Sequence, residues 1–360
     1  MTSIVKVLKT SFLMRFFKTF IKEFGNKERT NREAFIDSHF PHVSIEKKKA
    51  LSRDMRKRYV INGYTYEEYW QFKFDVFSRN QLRKMVPIVK INRFYDFVNN
   101  EEGMSHLLFD KWKTYLLYKD LYKRDMCLIR KGNDGFHVES DVNEFQKFVK
   151  KHNTFIVKPL SLDSGIGVKK ICLREREDAI ELAQRCSDDT FIAEELIVQN
   201  EKLARYNSSS VNTLRTNTVY YNENDIEIFR PIMRFGNGTA IVDNAHFGGM
   251  YAVVDAKTGK MTHAGDLDRH TYINHPYTNV PIVGESIPMW EEACELSREA
   301  ARRLPDHVFT GWDLALTDSG WVLVEGNAKP GLLDSALTGI GPRDELNKIK
   351  NKVKKQRHCS

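Results

Sequence analysis

Residues 310–327 constrain the fold more tightly than any other stretch of this 360-residue chain. Two β-rich runs, 310–317 and 321–326, flank the turn sequence Asp318-Ser-Gly320, so the segment reads as an antiparallel hairpin. Trp312, Leu314, Leu316, Val322 and Val324 make it apolar, yet Asp313, Glu325 and Asn327 interrupt that pattern. Alternation along a strand puts Glu325 and Asn327 on one face, and Asp313 on the partner strand can face them. Three oxygen donors, two of them anionic, describe a magnesium site with room for water and phosphate oxygens. The alternative is a polar sheet face open to solvent. Unpaired carboxylates in so apolar a hairpin would be costly, which favours the metal reading.

Upstream lie further strand and helix signals. Thr154–Pro159 is a β-rich run that ends in Ser161, Asp163, Ser164, Gly165 and Gly167, followed by a second short strand over 168–173. Lys158 sits at the end of the first strand. Small residues let backbone N–H groups approach an anion, and a nearby lysine supplies a point charge. A plain turn with two glycines is equally open, and no Walker loop is present because the lysine precedes the glycines. A helix is expected over 111–123 and another over 174–187, with a strand over 190–198. Strands follow at 211–221, 226–233 and 250–254, with a hairpin turn at Ala256–Lys260. The helix expected over 287–303 has Pro288 in its first turn. Arg215 and Arg234 lie in strand patterns, and arginines on a sheet suit bidentate phosphate or carboxylate contacts. Taken alone, an ordinary surface ion pair is the stronger reading of these arginines. Asn212 is a weaker candidate beside them.

The net charge of +8 needs locating before it is read as a partner signal. Residues 1–60 hold fifteen basic and six acidic side chains, an excess of nine, so the other 300 residues sum to about −1. The body of the chain is therefore not a basic nucleic-acid platform. Residues 4–24 place Phe12, Phe16, Phe17, Phe20 and their apolar neighbours at helical spacing, with Lys6, Lys9, Arg15, Lys18 and Lys22 between them. This amphipathic helix could pack on protein or lie peripherally on an anionic membrane through residues 1–24. Residues 31–105 read as aromatic-rich packing helices, and the lysine-rich end after Gly341 as a solvated helix or tail. Five widely spaced cysteines with no CxxC pair give poor support to either zinc or a disulfide framework and point to a reducing compartment. No run of 18 apolar residues and no signal peptide is seen. The expected location is cytoplasmic, with membrane association open.

In their order and spacing these segments resemble the ATP-grasp superfamily, and more closely its sugar-transfer-associated branch. The resemblance covers roughly 105–342. It runs through DKW at 110–112, FIVKPLSLDSGIGV at 155–168, FIAEELIVQN at 191–200 and SSVNTLR at 209–215, then DNAHFGG at 243–249, HP at 275–276, IPMW at 287–290 and GWDLAL…VLVEGNAKPG at 311–331. The ATP and magnesium motifs are similar to those of carboxylate–amine ligases such as D-alanine–D-alanine ligase.

The resemblance implies an α+β fold in which two lobes clamp ATP, with an additional helical N-terminal region. The corresponding division is a helical region over 1–105, lobes over 106–198 and 199–342, and a basic tail over 343–360. Lys158 and Lys111 match the lysines that hold the phosphates, and the Ser161–Gly167 loop closes over them. Glu194, Glu195 and Ile197 match the strand that reads adenine, and Glu201 the ribose-binding acid. Asp313, Glu325 and Asn327 match the ligands of Mg2+, with Mn2+ as an alternative ion. Arg215 and Arg234 match positions facing the γ-phosphate and the reacting acyl group. His246 and His275 lie near family motifs and could shuttle a proton, but a lone histidine is more often structural and they stay outside the site set. The implied activity is an ADP-forming ligase that joins a small-molecule carboxylate to an amine. Its substrate would be an amino acid or uronic acid in surface polysaccharide biosynthesis. An ATP-grasp kinase and a non-catalytic nucleotide-binding protein are the alternatives, and homo-oligomers are left open. Many ATP-grasp ligases begin with a Rossmann-like lobe; residues 1–105 offer no glycine-rich βαβ unit.

Overall fold

The computed structural model describes residues 27–99, 104–132, 135–136, 141–160, 167–174, 179–187, 189–237 and 249–359. The amphipathic segment 1–24 therefore lies outside the described residues, as do Ser161, Asp163, Ser164, Gly165 and His246. The chain divides into two compact units, Met1–Lys90 and Ile91–Ser360.

The first unit is helical where it is described. A helix over 27–39 is followed by Ile45–Lys57, whose N-cap Ser44 accepts from the Lys47 N–H. That helix runs into a π-turn, Arg58–Asn62, which ends at Gly63 with a φ of 83°. A left-handed residue of this kind lets the chain turn without a Cβ clash. Short helices at Tyr66–Gln71 and Arg79–Lys84 each start with a capping box, Thr65 with Glu68 and Ser78 with Gln81. Tyr64, Tyr69, Phe72 and Phe74 are buried together, with Tyr64 and Phe74 ring centroids 4.8 Å apart. The aromatic residues of this region pack, as their spacing suggests.

The second unit is built on two antiparallel sheets. The smaller contains β1 (Met126–Ile129), β2 (Thr154–Pro159), β3 (Lys169–Cys172) and β4 (Phe191–Glu195), in the order β1-β4-β2-β3. Helices Asp141–Lys151 and Ala179–Cys186 bring Phe145, Phe148, Leu182 and Ala183 into a core with Phe155, Val157 and Phe191. The larger sheet has β5 (Thr213–Asn222), β6 (Asp225–Phe235), β7 (Met250–Val254), β8 (Met261–Gly265), β9 (Thr271–Tyr272), β10 (Phe309–Thr317) and β11 (Gly320–Asn327). Their order is β9-β8-β7-β6-β5-β10-β11. Its main core gathers Leu214, Trp312, Leu314, Leu316, Trp321 and Leu323 with Trp290, Ala293 and Cys294 of helix Trp290–Arg302. The two fully buried indoles are satisfied: Trp312 Nε1 donates to Thr218 Oγ1 at 2.9 Å and Trp321 Nε1 to the Pro288 carbonyl at 3.1 Å.

That last contact explains one departure from the sequence expectation. Helix Trp290–Arg302 begins two residues after Pro288, because Met289 adopts a φ of 51° and the Pro288 and Met289 carbonyls both accept from Trp321. The C-terminal cations lie on a single helix, Arg343–Cys359, whose Leu346, Ile349 and Val353 are buried. Arg357 donates to the carbonyls of Phe97 and Val98 at 2.8 and 2.9 Å. Among the described residues no helix is long and apolar enough to cross a membrane.

Candidate active site

Register brings the charged residues of the larger sheet into one row. Asp313 on β10 lies opposite Arg215 on β5 and opposite Glu325 on β11. A bulge between the Asp313–Glu325 and Leu314–Leu323 pairs adds Val324 to β11. Without it, Leu323 and Glu325 would share a face, because alternation repeats every two residues. The extra residue lets Leu323 stay in the core opposite Leu314 while Glu325 joins Asp313. Arg234 on β6 lies opposite Thr213, two pairs along β5 from Arg215 and therefore on the same face.

Asp313 is completely buried and is the hub of this row. Arg215 grips it with two nitrogens, Nη2 lying 2.7 Å from Oδ2 and Nε bonded to Oδ1. Arg234 Nη2 is also 2.7 Å from Oδ2 and donates to Thr213 Oγ1 at 2.6 Å. Asn327 Nδ2 reaches Oδ2 at 3.5 Å. Burial alone would push the Asp313 carboxyl up, but the two guanidiniums outweigh it and hold it well below the usual carboxylate range. Glu325 goes the other way. Burial and the adjacent Asp313 charge push its carboxyl up to about 7, against a smaller downward pull from Lys158 and Arg215. Both guanidiniums converge on Asp313, so Glu325 meets burial and a neighbouring negative charge without a bonded cation of its own among the described residues.

The smaller sheet presents a second charged chain. Lys158 on β2 and Glu194 on β4 lie on the same face, because the cross-strand partners are Lys158–Ile192 and Ile156–Glu194. Lys158 Nζ is 2.5 Å from Glu194 Oε2, and Arg124 Nε donates to Glu194 Oε1 at 2.6 Å. Burial pushes the Glu194 carboxyl up, yet Arg124 and Lys158 together hold it below its ordinary value. Arg124 also donates to the carbonyls of Leu323 at 2.5 Å and Tyr122 at 3.1 Å. It therefore straps the lysine-bearing sheet to the backbone of β11, two residues before Glu325. Sequence reasoning missed Arg124; its available signal was a cation immediately ahead of the apolar run Met126–Ile129.

The other candidates fall in different places. Glu195 is on the opposite face of β4 from Glu194, and its Oε2 accepts the Asp125 N–H at 2.8 Å. Ile197 is half-buried in the connection after β4, and Glu201 is exposed in the first turn of helix Glu201–Ala204. Lys111 is half-buried as the first residue of helix Lys111–Tyr122, whose N-cap Asp110 accepts the Trp112 and Lys113 N–H groups. Lys113 is exposed and pairs with Asp110 at 3.5 Å. Gly167 closes the described end of the loop after β2 with a φ of 75°. Asn212 is structural: its amide donates to Gln199, Leu203 and Asn207, and its oxygen accepts the Gly236 N–H. His275 is buried against Thr278 and the Gly236 carbonyl, and burial lowers its basicity.

The model of the family described as sugar-transfer-associated ATP-grasp matches residues 90–351. No curated protein matches the chain. Among solved structures it is similar to the D-alanine–D-alanine ligase of Bacillus anthracis, at 14% identity and a TM-score of 0.40, covering 70% of this chain and 69% of that one. The D-alanyl-alanine synthetase A of Vibrio cholerae gives 17% and 0.40, with 69% and 65% covered. The VanG D-Ala:D-Ser ligase of Enterococcus faecalis gives 17% and 0.42, with 69% and 62% covered. The chain thus spans less than two thirds of the last two proteins. The family model, by contrast, matches well over half of this chain, across both sheets and the charged row. On that match the chain belongs to the sugar-transfer-associated ATP-grasp family.

Proposed function

We propose that the chain is an ATP- and Mg2+-dependent ligase that activates a carboxylate as an acyl phosphate and joins it to an amine, releasing ADP and phosphate. The observation that carries this reading is the row Arg215–Asp313–Glu325, with Arg234 on the same carboxylate and Lys158 acting on Glu325 from the smaller sheet. Asp313, Glu325 and Asn327 bring carboxylate and amide oxygens to one row, and oxygen donors of this kind fit a hard divalent cation, Mg2+ or alternatively Mn2+. Asp313, Glu325 and Asn327 would hold it. Bound there with ATP, the ion supplies neutralisation of the phosphate charge.

The chain's own residues do the rest by positioning. Lys158, oriented by Glu194, places a cation for phosphate oxygens, and Lys111 adds a second from its helix start. Arg215 and Arg234 donate to carboxylate oxygens of Asp313; the same planar forks suit phosphoryl or acyl oxygens and would stabilise charge developing there. Phosphoryl transfer needs alignment and charge neutralisation rather than a protein nucleophile, in keeping with a row of cations and carboxylates. Ser161, Asp163, Ser164, Gly165 and Gly167 would cover the phosphates. Backbone groups around Glu194 and Glu195 with Ile197 would take adenine, and Glu201 the ribose. The acid and amine are proposed to be amino acids or uronic acids destined for surface polysaccharide.

An ADP-release screen with paired amino acids, uronic acids and amines tests this reading. The expected result is ADP formation that requires Mg2+, one acid and one amine together. ADP release that no acid stimulates would contradict it.

A further inference from the structure

The end of the smaller sheet carries a cluster of side chains to which the proposed ligase chemistry gives no part, since the adenine reading draws only on backbone groups near Glu195. Asp125 precedes β1, His152 joins helix Asp141–Lys151 to β2, and Glu195 ends β4. All three are half-buried, and one ligand atom from each lies within 4.8 Å of the other two. His152 Nε2 is 3.1 Å from Asp125 Oδ2. Two donors of a tetrahedral zinc ion, each at roughly 2.0–2.1 Å, stand about 3.3 Å apart, so this pair is already close to coordination spacing.

The surrounding contacts orient the donors. Asp125 and Glu195 are tied reciprocally: the Glu195 N–H donates to the Asp125 carbonyl at 3.0 Å, and the Asp125 N–H to Glu195 Oε2 at 2.8 Å. The Glu195 carboxylate is thereby fixed through one oxygen, leaving the other to serve as a ligand. The His152 ring packs on Phe148 with centroids 4.7 Å apart, and the His152 N–H donates to the Phe148 carbonyl. These supports restrict the donors much as outer-shell contacts do in metal sites. Of the three donors, Asp125 also lines an open groove of about 600 Å³, together with Lys151, Trp112 and Tyr115. Lys151 competes for the same oxygen, 3.4 Å from Asp125 Oδ2, and is largely exposed. Exposed pairs of this kind contribute little, so an ion can displace it.

We propose that Asp125, His152 and Glu195 form a second divalent-cation site, of the zinc class, with water completing the shell. One imidazole and two carboxylates favour a d-block ion over the hard cation suited to Asp313, Glu325 and Asn327. The ion cross-links the entries to β1 and β2 and the exit of β4, immediately before the connection over 196–200. Its role is to brace that end of the sheet.

Zinc titration of the full chain against a chromophoric chelator, in excess Mg2+, tests the site. The wild type is expected to hold one zinc equivalent and to gain thermal stability from it. His152→Ala and Glu195→Gln should each bind that zinc at least about tenfold more weakly, whereas Asn327→Ala should retain it. Circular dichroism in chelator establishes which variants are folded, and Glu195→Gln decides the matter if His152→Ala is not. Equal zinc binding by the wild type and the folded ligand variants, or none by the wild type, overturns the proposal.

Discussion

Glu325→Gln is expected to lower Mg2+-dependent ATP turnover by at least about 100-fold while leaving the fold at least as stable as the wild type. Changes in residues that merely orient metal ligands cost about 10- to 100-fold, and this one removes an anionic ligand outright. The stability half follows from the electrostatics. The folded-state carboxyl of Glu325 is raised to about 7, mainly by burial and then by Asp313, against an ordinary value of 4.5. A raised carboxyl binds its proton more tightly in the folded state, so its stabilising contribution is present at low pH. That contribution is lost as pH rises from 4.5 through about 7. The wild type without metal should therefore lose up to about 3 kcal/mol across that window, at about 1.4 kcal/mol per pH unit. The glutamine variant should not show this loss. Denaturation curves at several pH values in chelator, beside ADP release in Mg2+, check both halves. A variant with normal turnover, or a wild type with no such loss between pH 4.5 and 7, would show that the two carboxylates do not form a cation site.

Arg124→Met carries the other large expected effect, this time on stability. Arg124 joins Glu194 on one sheet to the Leu323 carbonyl on the other. Removing it leaves a fully buried carboxylate with Lys158 as its remaining partner and deprives buried carbonyls of a donor. Breaking a buried pair from one side costs about 3–5 kcal/mol, far more than the pair contributes when both members are exchanged for apolar groups. The double variant Arg124→Met with Glu194→Gln should accordingly recover part of the loss. Chemical denaturation reads both variants. A single-variant loss below about 1 kcal/mol would mean that water reaches Glu194 and that the strap is dispensable.

The strands were readable where pattern and burial agree. Thr154–Pro159 alternates half-buried and buried positions along its whole length, and the hairpin over 310–327 carries a turn sequence that fits the observed register. The shared face of Asp313 and Glu325 was also accessible from sequence, although not the bulge at Val324 that makes it compatible with a buried Leu323. Simple alternation cannot show a one-residue insertion in a ladder. The short β1 was missed because a four-residue strand carries a weak local signal, whereas the helix Asp141–Lys151 was missed although Phe145, Phe148 and Val149 recur at helical spacing. Arg124 was out of reach for a different reason: its partners are 70 and 199 residues away in sequence. Conversely, the polar character of Asn212 suggested chemistry, whereas its four hydrogen bonds show it satisfying loop backbone around Asn207 and Gly236.

The central claim is that a carboxylate oxygen attacks the γ-phosphoryl group of ATP and leaves with phosphate when the amine displaces it. Once the screen has identified the acid, that acid is prepared with 18O in its carboxylate and turned over with ATP and amine. Mass analysis of the released phosphate is the most direct test. Acyl phosphate formation predicts one 18O atom per inorganic phosphate formed. Phosphate without the label, or phosphate retained on a stable phosphorylated product, would contradict it.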